Sequence, residues 1–260
     1  MPPVVICPYL YEHEGAEIRA TFQLDTKHGR SIPFFAFHDA GRLGPELAFE
    51  HCWERFPDRD IVIVHSDMAP VATDRRNEWY EALRQQRDAL PDAGIVACNL
   101  YFPSQSGALE IVQCAGGLYE RGTVSYLRGK IGDPGLSPAD LASARPVPWA
   151  TFGGILLRRE AIDAVGRFDR RYKWAYVMDV DYSFEVRLRG FGIYQVPVSL
   201  LHEEGRTTRP MMAADPRLGQ YVQQNLQRLG EKWAPFASML ELSSAGANEP
   251  TRGEARALRP

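Results

Sequence analysis

The stretch that decides the fold covers residues 149–207 and reads WATFGGILLRREAIDAVGRFDRRYKWAYVMDVDYSFEVRLRGFGIYQVPVSLLHEEGRT. Two short, mostly apolar runs within it, at 152–157 and 192–198, read as strands, because their length and their flanking residues are typical of buried strands. Between these runs, apolar residues recur at helical spacing over 179–189, and Gly190 supplies a residue that ends a helix. A strand, a helix and a second strand in this order predict part of an α/β sheet.

The same alternation of strands and helices extends over the rest of the chain. Short apolar runs of the first half read as further strands, at 4–6, 33–37, 60–64 and 94–97. Apolar residues at helical spacing predict helices at 49–56, 76–90, 158–165 and 215–230. The segment 103–148 is richer in glycine, proline and serine, so we expect loops there, with a short hairpin near 109–120. We predict an α/β fold whose mostly parallel central sheet is covered by helices on both faces.

The composition of the chain excludes several classes of protein. Its 260 residues carry 30 Lys and Arg against 33 Asp and Glu, a formal charge of −3, so no broad basic field is present for nucleic acid. The first residues lack a basic, apolar leader, and no run of about 18 apolar residues occurs, so we expect neither a signal peptide nor a membrane span. The four cysteines are scattered without a Cys-x-x-Cys pair, which favours free thiols in the cytoplasm.

The last residues, 241–260, have almost no large apolar side chains and predict a disordered tail.

Polar side chains follow several of the predicted strands at the point where each strand ends. In chain order these residues are His38, Asp39, His65, Ser66, Asp67 and His202. Because ligands of open α/β sheets bind outside the carboxyl ends of the strands, we expect these side chains to share one site. Carboxylates suit Mg²⁺ or Mn²⁺, and imidazoles tilt the preference towards Mn²⁺. Ordinary turn chemistry explains any one of these residues taken alone, so that interpretation stays open.

The stretch 149–207 resembles the second half of inverting GT-A glycosyltransferases of family 2, especially bacterial rhamnosyltransferase-like members. The residues that carry the resemblance are Gly153 and Gly154, Arg158 and Arg159, 166–169, Asp179 and Asp181, 187–190 and His202. The first half resembles the nucleotide half of the family more loosely, through its first strand, Asp39 and Asp67. Neither a P-loop nor a G-x-G-x-x-G motif is present, which disfavours kinases and dinucleotide-dependent oxidoreductases.

The resemblance implies a GT-A, Rossmann-like fold in one domain over 1–240, with a nucleotide-binding half at 1–100 and an acceptor and catalytic half at 101–240. It implies that Asp179 is the general base of an inverting transfer from a nucleoside-diphosphate sugar to an acceptor hydroxyl, assisted by Mn²⁺ or Mg²⁺. The residues implied for the donor nucleotide are Tyr9, His38, Asp39, Ser66, Asp67 and Arg206. The residues implied for the metal are His65, Asp67 and His202. The residues implied for the sugar or acceptor are Trp149, Gly153, Gly154, Trp174 and Met178.

Departures from the family pattern keep a second interpretation open. The D-x-D metal motif of the family reads HSD here, so His65 stands in place of the first carboxylate, and Met178 replaces a glutamate. A degenerate domain that binds a nucleotide sugar or a protein partner without turnover is therefore the alternative to an enzyme. A nucleotidyltransferase is disfavoured, because no glycine-rich basic loop follows the first strand. The acceptor is a glycan, a lipid-linked molecule or a small molecule, and peripheral contact with a membrane stays open.

Several of the implied site residues also have ordinary structural interpretations. Trp149 and Trp174 are equally compatible with a buried core, and the glycine pair at 153–154 with close packing of strands. An aspartate just before or inside the first turn of a helix is commonly a cap, which applies to Asp179. Because residues two apart on a helix point to different sides, we expect Asp181 to cap the helix or anchor a loop instead of sharing the role of Asp179.

Overall fold

The structure is a computed structural model that describes residues 1–25, 30–71, 78–120, 122–174, 176–206 and 208–241. Its strands are β1 Val4–Tyr9, β2 Leu24–Asp25, β3 Arg30–Ser31, β4 Phe34–His38, β5 Ile61–Ile63, β6 Met68–Pro70, β7 Ala93–Tyr101, β8 Ile111–Cys114, β9 Gly117–Glu120, β10 Thr123–Tyr126, β11 Gly129–Lys130, β12 Arg145–Pro146, β13 Ile155–Leu157 and β14 Gly192–His202. Its α-helices are α1 Glu14–Phe22, α2 Pro45–Trp53, α3 Trp79–Ala89, α4 Pro138–Leu141, α5 Arg159–Val165, α6 Met178–Leu188, α7 Thr208–Ala214, α8 Arg217–Trp233 and α9 Ala237–Leu240. Apart from Glu241, the predicted tail at 241–260 lies outside the described residues.

The central sheet of the described residues has ten strands, and its long strands share one direction. Strand β1 pairs in parallel with β4 and β5, and β14 pairs in parallel with β7. Strand β13 runs antiparallel between β5 and β7. The prediction of a mostly parallel α/β sheet is confirmed, with β13 as a reversed strand that the sequence pattern did not distinguish.

Helices cover both faces of the sheet, as predicted. In β1, the alternate residues Val4 and Ile6 contribute to a core shared with α2, α5 and α6. Their neighbours Val5 and Cys7 face the other way, into a core shared with α1 and α3. This alternation follows from the two-residue period of a strand, and it explains why β1 is apolar throughout.

The structure corrects three details of the predicted elements. The hairpin expected near 109–120 is instead formed by β9 and β10, while β8 joins the central sheet beside β7. Helix α1 was not predicted, because its buried face includes Glu14 and Gly15 and carries little apolar periodicity. Helix α8 passes Gly230 and ends at Trp233, whose burial favours the extra turn.

Among the described residues, none of the helices combines the length and the hydropathy that a bilayer-spanning helix needs.

All four cysteines are free and buried, as the sequence predicted. Burial raises the pKa of the Cys7 and Cys98 thiols well above the ordinary value. Burial likewise raises the pKa of Cys52 and of Cys114 to about 12. These side chains therefore behave as small apolar residues of the core.

Gly154 is required where β13 enters the sheet. Its φ is +70°, its N–H donates to Ile63 O at 2.9 Å, and its carbonyl accepts from Cys98 N at 2.8 Å. A Cβ atom at this position would lie 3.0 Å from the side chain of Leu200 and 3.1 Å from that of Leu100. Packing and backbone conformation thus account for Gly154, which was predicted to lie at the sugar or acceptor.

We expect Gly154→Ala to lower the free energy of unfolding by about 2 kcal/mol, because it combines left-handed strain with crowding in the core. Gly230→Ala is the matched control, since a Cβ at Gly230 in α8 meets nothing within 4 Å. The control is expected to raise the free energy of unfolding by up to about 1 kcal/mol. Urea unfolding monitored by circular dichroism measures both changes, and a stabilised Gly154→Ala protein would contradict this account.

Candidate active site

Pairing of β14 with β6 brings His202 beside Asp67. In this antiparallel pair, His202 lies opposite Met68, and the backbone N–H of Glu203 donates to Asp67 O at 3.0 Å. The side chains meet with His202 Nε2 at 3.2 Å from Asp67 Oδ1. Two residues that are 135 positions apart in the sequence therefore form one unit at the edge of the sheet.

His65 completes a cluster of three possible metal ligands. One ligand atom from each of His65, Asp67 and His202 lies within 4.8 Å of the other two. Burial, and then the charge of His202, lower the pKa of His65 to about 4, so its imidazole is neutral at pH 7. Burial alone would raise the pKa of Asp67, but the hydrogen bond from His202 and the charges of both histidines outweigh it and hold the pKa at about 2. Imidazole nitrogens and an ionised carboxylate are a donor set that fits a divalent cation such as Mn²⁺.

Gln113 on β8 fixes the orientation of His202. Its side-chain Nε2 donates to His202 O at 3.4 Å, which leaves its Oε1 as the acceptor 2.7 Å from His202 Nδ1. Because Nδ1 faces Gln113, the Nε2 atom of His202 points towards the Asp67 carboxylate. An imidazole nitrogen and a carboxylate oxygen in this orientation share a proton or bind a common cation, so the orientation is compatible with a metal ion.

Asp179 lies in the first turn of α6, in a half-buried position. Its Oδ1 accepts from Val180 N at 2.9 Å, and Thr151 and Phe152 supply further hydrogen bonds. Burial raises the pKa of Asp179 to about 6, and these hydrogen bonds limit the rise. The N-cap residue of α6 is Val177, which has no capping side chain, so Asp179 accepts a backbone N–H without being the N-cap. The pKa of this carboxyl therefore lies closer to neutrality than that of an ordinary aspartate.

Asp181 points away from Asp179 and is held by three hydrogen bonds. It accepts from Tyr172 Oη at 3.0 Å, from Trp233 Nε1 at 2.7 Å and from Lys232 Nζ at 2.8 Å. Asp181 thus anchors a loop and the C-terminal helix to α6, which confirms one of its two predicted roles. It does not cap the helix.

Asp179 and the histidine–aspartate cluster line the same cavity, whose volume is about 440 Å³. This volume lies within the range of small-molecule sites. The predicted site residues that line it are Asp39, His65, Ser66, Asp67, Trp174, Met178, Asp179 and His202. The described lining residues that sequence reasoning missed include Arg42, Gln113, Tyr126, Arg128, Tyr176 and Met211.

Tyr126 and Arg128 come from the hairpin segment that the sequence predicted as loops. Tyr126 lines the same cavity as Asp179 but keeps 46% of its surface exposed. Partial loss of water around the phenol, followed by the charge of the Asp179 carboxylate, raises the pKa of Tyr126 above its ordinary value. Arg128 lies 6.0 Å from the centre of the Tyr126 ring and 4.0 Å from Glu204. The one available signal was an aromatic residue and an arginine two positions apart in a polar segment, and this pattern is too common to identify a site.

Several predicted site residues do not line the cavity. The ring of Tyr9 stacks on that of His38 with centroids 5.1 Å apart, behind the cavity wall. Gly153 packs against His65, whose ring a Cβ would approach to 3.3 Å. Arg206 is exposed and lies 4.0 Å from Glu17.

Trp149 is the clearest correction. It is only 1% exposed, and its Nε1 donates to Leu118 O at 3.1 Å within the core. The ring also fills the space where Gly117 has no side chain, with an indole atom 2.1 Å from a hypothetical Cβ. Its faces are therefore occupied by protein, and they are not free to stack on a sugar.

Asp39 lines the cavity and also shapes the loop that precedes α2. Its two carboxylate oxygens accept from Leu43 N at 2.8 Å and from Gly44 N at 3.3 Å. The turn interpretation is therefore correct for Asp39, and contact with a ligand remains compatible with its position. Ser66 faces the same end of the cavity, where its Oγ lies 3.4 Å from Glu14 Oε1.

Two solved structures with a similar fold are those of glycosyltransferases. The structure of GalNAc-T7 with UDP, GalNAc and Mn²⁺ matches with a TM-score of 0.51 and 15% identity, covering 77% of this chain and 37% of that chain. The mannosyltransferase PcManGT from Pyrobaculum calidifontis, in complex with GDP-Man and Mn²⁺, matches with a TM-score of 0.50 and 13% identity, covering 98% of this chain and 78% of that chain. The chain has the GT-A fold. No family model and no curated protein matches the sequence.

Within this GT-A fold, the cavity lies where strands of both halves of the chain end. His65, Ser66 and Asp67 follow β5 of the first half, and His202 ends β14 of the second. These four residues and Asp39 line one cavity, whereas His38, which was expected beside them, is not among its described lining residues.

We expect Asp179→Asn to stabilise the protein more at pH 7.5 than at pH 4.5. Because its pKa is raised to about 6 from an ordinary value of 3.8, the folded protein binds this proton more tightly than the unfolded chain does. Stability is therefore lost as the pH rises from about 4 through about 6, and the asparagine variant avoids this loss. Melting temperatures at both pH values measure the effect, with Asp58→Asn as a control for an exposed carboxylate. An equal difference from wild type at the two pH values would contradict the raised pKa.

Proposed function

We propose that this protein is an inverting, metal-assisted glycosyltransferase of family 2 type. It would move a sugar from a nucleoside-diphosphate sugar to an acceptor hydroxyl. The observation that carries the proposal is the presence of a carboxyl with a pKa of about 6 and a His–Asp–His cluster on the same cavity. Two GT-A neighbours were solved with UDP or GDP-Man and with Mn²⁺, which supports the choice of donor and metal.

The nucleoside diphosphate occupies the end of the cavity formed by the first half of the chain. Asp39 and Ser66 line that end and are available to the nucleoside. Tyr9 and His38 support this wall from behind through their stacked rings. Residues 1–100 thus form the nucleotide half of one domain over 1–240, and residues 101–240 supply the acceptor and catalytic half.

His65, Asp67 and His202 would hold the divalent metal ion, with Gln113 orienting His202. When bound, a divalent ion supplies Lewis-acid stabilisation to the departing diphosphate. Arg128 lines the cavity and adds positive charge towards the same group. Arg206, which the resemblance implied for the donor nucleotide, fits this role less well, because it does not line the cavity among the described residues.

Asp179 is the general base. As the acceptor oxygen forms its bond to the anomeric carbon, the bond from that carbon to the diphosphate oxygen breaks on the opposite face. The hydroxyl proton passes to an Asp179 carboxylate oxygen, and the diphosphate leaves with the electron pair. A base with a pKa of about 6 is ionised at pH 7 and still accepts a proton efficiently.

The acceptor lies against the second half of the chain, where Tyr126, Trp174, Tyr176 and Met178 surround Asp179. Aromatic and thioether side chains of this kind suit a glycan, a lipid-linked acceptor or a small molecule. We assign the reaction to the synthesis of a polysaccharide or a related glycan in the cytoplasm. The four buried free thiols are compatible with that compartment.

The first experiment is a thermal-shift panel of UDP, GDP and dTDP, each with and without Mn²⁺. We expect one nucleotide to raise the melting temperature in a metal-dependent way, because a ligand that binds only the folded state stabilises it. Asp67→Asn is expected to abolish the metal-dependent part, since it removes the carboxylate of the cluster. A shift without turnover would favour the degenerate domain, and no shift with any nucleotide would contradict the proposed donor site.

The second experiment replaces Asp179 with Asn. We expect kcat to fall by about 100- to 10,000-fold, the range typical of a lost general base, while the thermal shift with nucleotide and Mn²⁺ is retained. In the wild type, kcat/KM is expected to rise between pH 5 and pH 7 with an apparent pKa of about 6. Release of nucleoside diphosphate from the sugar donor measures both, with Asp58→Asn as control. Wild-type turnover in Asp179→Asn would contradict the assignment of the base.

A further inference from the structure

The cavity wall beside Asp179 has an unusual backbone. We call Lys173, Trp174, Tyr176 and Val177 the wall segment, and the last three of these residues line the cavity. The φ angle of Trp174 is +55° and that of Val177 is +61°. Left-handed conformations are rare for side chains of this kind, and they persist only where surrounding contacts impose them.

Asn225 of α8 supplies such contacts from the side of the wall segment that faces the core. Its Oδ1 accepts from Lys173 N at 3.1 Å, and its Nδ2 donates to Lys173 O at 2.7 Å and to Tyr176 O at 3.1 Å. Asn225 is only 1% exposed, so these three hydrogen bonds form away from water. One side-chain amide thus forms hydrogen bonds with backbone groups of Lys173 and Tyr176, which lie on either side of the strained Trp174.

The same helix fixes the elements that flank the wall segment. Arg228 donates to the carbonyl of Arg171, and Lys232 and Trp233 donate to Asp181 in α6. Helix α8 therefore fixes the position of the wall segment relative to α6, the helix that carries Asp179. Asn225 and these α8 residues do not line the cavity in the part of the chain that the structure describes.

We propose that Asn225 is a positioning residue, which holds the wall segment in the conformation that binds the acceptor next to Asp179. The acceptor part of this inference rests on the proposed function. The positioning part does not, because it concerns only the backbone of the wall segment. An amide is required for the role, since it alone offers both an acceptor for Lys173 N and donors for two carbonyls.

Hydrogen exchange of the full-length protein tests the positioning directly. In Asn225→Ala, we expect the amides of peptides covering 170–178 to exchange at least tenfold faster, while peptides from β7 keep their rates. Leu229→Ala is the matched control, because Leu229 lies one turn along α8, is also buried and makes none of these bonds. We expect this control to lower the melting temperature without selective exchange at 170–178.

Two results would overturn the inference. One is unchanged exchange at 170–178 in Asn225→Ala, and the other is an equal increase there in Leu229→Ala at a similar loss of melting temperature. Because neither measurement involves turnover, a failure of the proposed function would leave the exchange result intact. The thermal shift with nucleotide and Mn²⁺ is expected to match wild type in both variants, since the nucleotide end of the cavity is built by other elements.

Kinetics then test the link to the acceptor. Asn225→Asp keeps the acceptor oxygen for Lys173 N but replaces the donors by an oxygen that faces two carbonyls. Once sugar transfer by the wild-type protein is measured, we expect Asn225→Asp to raise the KM for the acceptor about tenfold. The same variant is expected to change the KM for the sugar donor less than twofold. Equal effects on both KM values, or the same split in Leu229→Ala, would show that Asn225 has only a structural role.

Discussion

The pairing of β14 with both β7 and β6 is the constraint on which the site depends. Parallel pairing with β7 and antiparallel pairing with β6 fix where the end of β14 lies relative to its neighbouring strands. The pairing with β7 shifts register between Val196 and Ser199, and Pro197, which has no N–H to donate, lies within this irregular part. A shift by one residue would turn His202 to the opposite face of the sheet and away from Asp67.

Helix α6 uses its two acidic residues in opposite ways. Asp179 is half-buried at the cavity, with hydrogen bonds that only partly compensate for the loss of water, so its proton affinity is raised. Burial raises the pKa of Asp181 as well, but this carboxylate meets the ammonium group of Lys232 and the N–H of Trp233, and it serves to join α6 to α8. Two positions along one helix thus place one carboxylate at the cavity and the other in the contact between helices.

Local patterns in the sequence predicted the strands and the polar residues at their ends, because each depends on a period of two and on the direction of the chain. The grouping of His65, Asp67 and His202 followed from the topology of parallel sheets. The position of Trp149 was not predictable, since a large aromatic residue looks the same in a core and at a binding site. Gln113 and Asn225 were missed for a different reason, because their partners lie 89 and 52 residues away and leave no local pattern.

The burial of the cysteines has a practical consequence for studying motion in this protein. All four thiols are buried, and their raised pKa values leave almost no thiolate at neutral pH. Alkylating dyes react with the thiolate, so the folded wild-type chain is nearly inert to them. A single cysteine introduced on an exposed surface would therefore carry a fluorophore at one defined place, without prior removal of the natural cysteines from the core.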